Sequence, residues 1–167
     1  MSDDVITFVH LSDIHFHKGS GSIYDPDNDL RNEIELDLKK LCNEIGLGTP
    51  SGILISGDIA FSGDSDQYKI ASVWLNTICD YLCIDRENIW CIPGNHDVNQ
   101  ECARKSHCLP SVYKELRTTE GGKTSNVLRE CLTSDVDKEL FYKPIEEYNK
   151  FASQYSCGIS ADQPYWE

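Results

Sequence analysis

The sequence predicts an α/β fold whose first half is a parallel sheet. Two observations carry that prediction. Short apolar runs alternate with helical patterns in the order β-α-β-α-β between Val5 and Ile92. Each apolar run then stops at a cluster of oxygen and nitrogen donors: Asp13 and His15 after FVHLS, Asp58 after GILISG, and Asn95, His96 and Asp97 after IWCIPG. In open parallel sheets, functional groups gather at the carboxyl ends of the strands, which is where all three clusters fall.

Taken in order, VITFVHL (5–11) is β-branched and aromatic, as a strand requires. A polar, glycine-containing loop follows. From Leu30 the apolar positions Leu30, Ile34, Leu38, Leu41 and Ile45 have helical spacing, with Asp27, Asn28 or Asp29 as N-cap and Gly46 as the stop. ILIS (53–56) reads as a fully apolar, buried strand. The next helix sets Tyr68, Ala71, Leu75, Ile78 and Leu82 on one face, and Asp64 with Gln67 makes a capping-box pattern at its start. IWCI (89–92) is the third strand. Beyond Asp97 the pattern becomes helical, with segments expected near 110–117, 124–132 and 144–156 and Gly121-Gly122 separating the first two. In the last segment Pro144 starts the helix, and Ile145, Tyr148, Phe151, Ala152 and Tyr155 form its apolar side.

Composition narrows the function classes. With 167 residues, 40% of them hydrophobic and 26% charged, the chain has the make-up of a globular domain. A net charge of -13 does not favour nucleic acid or anionic membrane as a partner, but it leaves phosphate-bearing substrates open, because bound cations reverse the local sign. MSDDVITFVHL has no signal-peptide pattern, and no apolar run reaches the length of a membrane span. The eight cysteines form no CxxC pair and read as reduced thiols of a cytoplasmic protein. A structural zinc site at Cys102, His107, Cys108 and Cys131 is a lesser alternative, since neither ligand pair has a zinc-finger spacing.

The strand-end clusters suit metal-assisted phosphate chemistry. Asp13 and His15 are two apart, so strict strand geometry points both to one face. Asp58 has two oxygens, enough for one on each of two ions. Asn95 offers a neutral carbonyl oxygen. This oxygen and nitrogen set suits Mn, Fe or Zn. Two such ions, ~3.5–4 Å apart, clamp a phosphoryl group and hold a hydroxide as nucleophile. His10, inside the first strand, reads as packed or hydrogen-bonded, and His17 as an exposed loop residue or one that faces the substrate.

DIH, GD and GNHD in this order, each after a strand, resemble the first three motifs of the calcineurin-like metallophosphoesterases. The resemblance spans residues 5 to about 100 and implies the parallel half of an α-β-β-α sandwich, followed by a helical insertion or cap over 101–167. It further implies that Asp13 and His15 bind one of two divalent metal ions, that Asp58 bridges both and that Asn95 binds the second. By the same resemblance His96 stabilises the transition state or protonates the leaving oxygen, and Asp97 orients its imidazole. The family completes its site with a later histidine and a Gly-His-x-His motif. This chain has no Gly-His pair, and its only histidine after His96 is His107.

The expectation is therefore the N-terminal part of a longer dinuclear-metal phosphohydrolase. The second sheet and the remaining ligands are expected further along the parent chain, and these 167 residues alone are expected to be inactive. The expected substrate is a phosphodiester, either a cyclic nucleotide or nucleic acid. The alternative is a catalytically incomplete scaffold or sensor module of a multidomain protein. A third reading has the chain complete its sheet with another copy.

Overall fold

The computed structural model describes residues 5–19, 25, 27–44, 46, 48–119, 121–160 and 162–163. Three strands, β1 (Phe8–Leu11), β2 (Gly52–Ile55) and β3 (Ile89–Cys91), form one parallel sheet in the order β1-β2-β3. Val9 pairs with Ile53, and Ile53 with Ile89. Helices α1 (Asn28–Asn43) and α2 (Ser65–Leu82) make the crossovers. The β-α-β-α-β reading is thus the observed order.

The sheet has two unlike faces. Val9, Leu11, Ile53, Ile55, Ile89 and Cys91 are buried under the helices, while their alternates Phe8, His10, Leu54 and Trp90 are exposed. The expectation that ILIS is buried on both faces is corrected here. All the helical cover lies on one side, so Leu54 keeps 39% of its surface and Trp90 44%.

Helix α2 follows its sequence pattern. Tyr68, Ala71, Leu75, Ile78 and Leu82 are all buried. At its start Asp64 accepts from the Asp66 amide, and the Gln67 carbonyl oxygen accepts from the Asp64 amide at 3.2 Å, so the capping box is real. Helix α1 is rotated from the expected face. Ile34, Leu38 and Cys42 pack on the core, whereas Leu30 and Leu41 are exposed and Ile45 lies outside the described residues. The cause is Arg31, buried on the inner side and ion-paired with buried Asp25. Residues 31, 34, 38 and 42 share one helical stripe, and the ion pair selects it.

The remainder is helical, as expected: α3 (Gln100–Lys105), α4 (Leu109–Thr118), α5 (Gly121–Thr133), α6 (Asp135–Tyr142) and α7 (Glu146–Ala152). The glycine pair does not separate helices, since it opens α5. Helix α3 has no apolar stripe to reveal it. Its signal is Asn99, whose side chain accepts from the Cys102 amide at 2.9 Å. Helix α7 supplies Tyr148, Phe151 and Ala152 to the core. The Tyr148 hydroxyl donates to the Cys91 carbonyl at 2.9 Å, and the Asn99 amide donates to the Pro144 carbonyl at 2.8 Å. These bonds tie the helical segment to the loop after β3.

Candidate metal centre

Past their last strand residues, the first two strands stay zipped together. The amides of Asp13, His15 and Phe16 donate to the carbonyls of Gly57, Asp58 and Ile59 at 3.3, 3.0 and 2.8 Å. Along this ladder Asp13, His15 and Asp58 all take left-handed backbone, with φ of 55°, 53° and 54°. Each such residue costs on the order of 1–2 kcal/mol. The strain falls on the three motif residues and is held by the ladder. The expected strict strand geometry for Asp13 and His15 does not hold, because β1 ends at Leu11.

Two glycines let the loops meet. Gly57 has φ of 105°, and a Cβ on it would lie 2.8 Å from the Cα of Gly94. A Cβ on Gly94 would collide with the Asp58 carboxylate. The glycines of GD and GNHD therefore pack on each other and leave room for the acid between them.

The structure brings His15, Asp58 and His96 together, with one ligand atom of each within 4.8 Å of the others. Asp13 Oδ1 lies 3.9 Å from His15 Nε2, and Asp58 Oδ1 accepts from the His96 amide at 2.9 Å. Nδ1 of His15 is buried and has no hydrogen-bond partner. One ring nitrogen of His15 is unpartnered, its other nitrogen faces the Asp13 carboxylate, and no Lys or Arg pairs with Asp13 or Asp58 among the described residues; this donor set fits a cation. The sequence expectation for Asp13, His15 and Asp58 as metal ligands is compatible with this arrangement. Asn95 is exposed and lines the cavity that His96 also lines.

His96 is oriented differently from the expectation. Its Nδ1 sits 2.7 Å from the Phe61 carbonyl oxygen. A carbonyl only accepts, so Nδ1 carries the proton and Nε2 holds the free lone pair. The expected contact from Asp97 to this imidazole is replaced. Asp97 is fully buried, and its Oδ1 accepts from the Ala60 amide and the Tyr68 hydroxyl, both at 2.9 Å. Its Oδ2 accepts from the amides of Ile59 at 3.2 Å and Gly94 at 2.9 Å. Four donors fill the carboxylate, which acts as the staple between the second and third loops. Its negative charge, after burial, pushes the Tyr68 hydroxyl well above the usual tyrosine range.

A second donor group lies nearby. His17 Nε2 is 3.6 Å from Asp25 Oδ1 and 3.3 Å from Asp27 Oδ2. Here a cation is already built in, since the Arg31 guanidinium pairs with Asp25 and stacks 5.0 Å from the Phe16 ring centroid. His17 is thus a partnered residue rather than a free loop histidine. The lesser zinc reading is corrected: among the described residues, Cys102, His107, Cys108 and Cys131 are not brought together, and the only close donor groups are the two above. None of the eight cysteines is joined in a disulfide. His10 bonds Ser56 Oγ at 2.9 Å on the open sheet face.

Phe61 was not anticipated. It is 53% exposed, and its ring stands 5.3 Å from that of His96 and 6.2 Å from that of His15. The signal for it is an aromatic three positions after Asp58, directly before the polar run SGDSD at 62–66.

A strained, ligand-rich loop set at the carboxyl edge of a parallel sheet defines a metallophosphoesterase-type site, and the calcineurin-like phosphoesterase family matches residues 6–153. The chain belongs to that family. It is similar to the uncharacterized metallophosphoesterase-like protein YydB of Bacillus subtilis (strain 168), 25% identical over 122 residues. That match takes in 69% of this chain and 22% of YydB, so the chain spans about a fifth of its relative. Among the described residues, no helix is long and apolar enough to cross a membrane.

Proposed function

We propose that the parent protein is a cytoplasmic, metal-dependent phosphoesterase and that this chain supplies the front half of its active site. Asp13, His15, Asp58 and Asn95 are the residues that would hold two divalent ions (Mn, Fe or Zn). Lewis acidity toward a phosphoryl oxygen is the chemistry that such ions supply when bound. The observation that carries the reading is the convergence of His15, Asp58 and His96, one ligand atom of each within 4.8 Å of the others, together with an unpartnered ring nitrogen on His15. The substrate class is a phosphodiester, a cyclic nucleotide or nucleic acid.

The chain's own residues divide the work. His96, held through Nδ1 by the Phe61 carbonyl, keeps Nε2 available to carry a proton to or from the ester oxygen. Asp97 fixes the height of the GNHD turn through four hydrogen bonds and stays out of the chemistry. Phe61 stands over both imidazoles as an apolar wall. In the parent, the open sheet face at Phe8, Leu54, Trp90 and Ile92 is covered by a sheet-completing region beyond residue 167, because an apolar face of this size marks an interface.

A second role for His96 is favoured by one observation. One of its ring nitrogens lies within 4.8 Å of ligand atoms of His15 and Asp58, a spacing at which all three can share one ion. Metal content and turnover in the parent separate the cases. Asp58→Asn is expected to lose metal and activity together. His96→Ala is expected to keep its metal and lose roughly 10²–10⁴-fold in rate, less on a nitrophenyl ester that needs little protonation. Loss of metal from His96→Ala would make the imidazole a ligand. Tight metal binding with no turnover of any phosphoester would leave the scaffold reading in its place.

A further inference from the structure

The helical segment carries a feature that the metal-site reading does not use. The chain has 28 acidic residues and 15 lysines and arginines, and three of the cations without a carboxylate ion pair among the described residues gather at one cavity. This cavity, of about 330 Å³, lies between α3 and α4. Arg104, Lys114 and Arg117 line it, and no carboxylate does. The carboxylate ion pairs of the described lysines and arginines use Arg31, Lys69, Arg86, Lys105, Lys138, Lys143 and Lys150. Those of the cavity are left for something else. Among the described residues, Arg104 donates to the carbonyl of Gln100 in its own helix at 3.2 Å and lies near Glu101, which pairs with Lys105.

This cavity shares two lining residues with the space beside His96. Gln100 and Arg104 also line the neighbouring space of about 530 Å³ that holds Asn95, His96 and Phe61. The two acids of that space are occupied. Asp64 caps α2, and Glu101 pairs with Lys105 at 2.7 Å. Each space also presents one aromatic side chain. Phe61 is exposed beside His96, and Tyr113 lines the basic cavity, half-buried against Phe141.

We propose that the α3–α4 cavity is a second phosphate subsite, which takes the phosphate next to the scissile one in a single-stranded oligonucleotide. The inference rests on the phosphodiesterase reading above and narrows it. A cyclic nucleotide has one phosphate and leaves the basic cavity empty. A second phosphate satisfies Arg104, Lys114 and Arg117 through charge-assisted hydrogen bonds. Phe61 and Tyr113 give successive bases a face to stack on without reading their sequence. A polyphosphate tail would present the same anionic chemistry but only one base.

Binding to the 167-residue chain in EDTA tests this without any metal, so failure at the metal centre cannot mimic failure here. The probes are a 5′-phosphorylated thymidine dinucleotide, ATP and cyclic AMP, titrated by calorimetry at several salt concentrations. The dinucleotide is expected to bind at least about tenfold more tightly than cyclic AMP. Arg104→Ala combined with Arg117→Ala is expected to weaken it by about tenfold or more and to lower the salt slope by about 0.7 per lost phosphate contact. Lys39→Ala combined with Lys40→Ala, the same charge change on α1, is expected to leave both unchanged. Both pairs are exposed or half-exposed, and matching helical circular dichroism checks that each variant is folded. Equal affinity for cyclic AMP, equal loss in the α1 variant or no binding at all would overturn the subsite. Tighter binding of ATP than of the dinucleotide would overturn the oligonucleotide assignment.

Discussion

Two groups of histidine and aspartate stand side by side in this chain, rooted two residues apart at His15 and His17, and they are built on opposite principles. Around His15, Asp58 and His96, carboxylates have no fixed cation among the described residues, an imidazole nitrogen is orphaned and the backbone is strained. Around His17, Asp25 and Asp27, a buried arginine already supplies the positive charge and a phenylalanine packs beneath it. Donor spacing alone does not tell them apart. Charge balance does: one group is short of a cation, and the other has one built in. The first is arranged for function at a cost to stability, and the second for stability.

The largest effect that would sharpen this contrast belongs to neither group but to the staple behind the first. Asp97→Ala leaves the buried amides of Ile59 and Ala60 and the half-buried amide of Gly94 without an acceptor, and leaves the Tyr68 hydroxyl only the carbonyl of residue 97 at 3.4 Å. At ~1–3 kcal/mol for each buried unsatisfied group, a loss of about 4 kcal/mol or more is expected in urea unfolding. Next comes Arg31→Ala, which removes the arginine paired with the buried Asp25 carboxylate, leaving the Asp27 amide and His17 beside it, and removes the cation over Phe16. A loss of about 3–5 kcal/mol is expected. If Arg31→Ala costs less than Asp58→Ala, the contrast fails, because the ligands and not the ion pair would then be holding the fold.

A smaller effect has the opposite sign. Asp13→Gly relieves left-handed backbone at φ 55° and is expected to raise stability by up to about 1 kcal/mol while weakening metal binding. Destabilisation by the same amount would show that the Asp13 side chain helps to hold the loop. The smallest effect is on pH dependence. Burial pushes the Tyr155 hydroxyl up to about 12 from 10.0. The unfolded chain releases this proton near 10 and the folded chain does not. The contribution is therefore intact below pH 10 and is lost as pH rises from 10 toward 12. Tyr155→Phe is expected to flatten that alkaline decline in thermal unfolding, and an unchanged slope would assign the decline to other groups.

What could be read in advance follows the range of the interactions involved. Strand order, the capping box of α2 and the positions of Asp13, His15, Asp58 and His96 come from local pattern and motif spacing. Two features depend on partners far along the chain and a third on a partner just outside its helix, and none has a local signal. The Phe61 carbonyl that orients His96 lies thirty-five positions away. Asp97 looks like the imidazole's partner in sequence because it is adjacent, yet its carboxylate turns inward to amides at Ile59 and Ala60. Arg31 reads as a polar residue on an amphipathic helix until Asp25 is found folded against it. The open sheet face was misread for the same reason: ILIS is apolar throughout, and only the helices' placement shows that one side is bare.

The most direct test is metal binding to the two groups in the same chain. The 167-residue protein is equilibrated with Mn²⁺ or Zn²⁺, and bound metal is measured by calorimetry and elemental analysis for the parent sequence, Asp58→Asn and Asp27→Asn. The account predicts weak but specific binding that Asp58→Asn abolishes and Asp27→Asn leaves unchanged. Binding that survives Asp58→Asn and disappears with Asp27→Asn would place the metal in the arginine-balanced group and contradict the account.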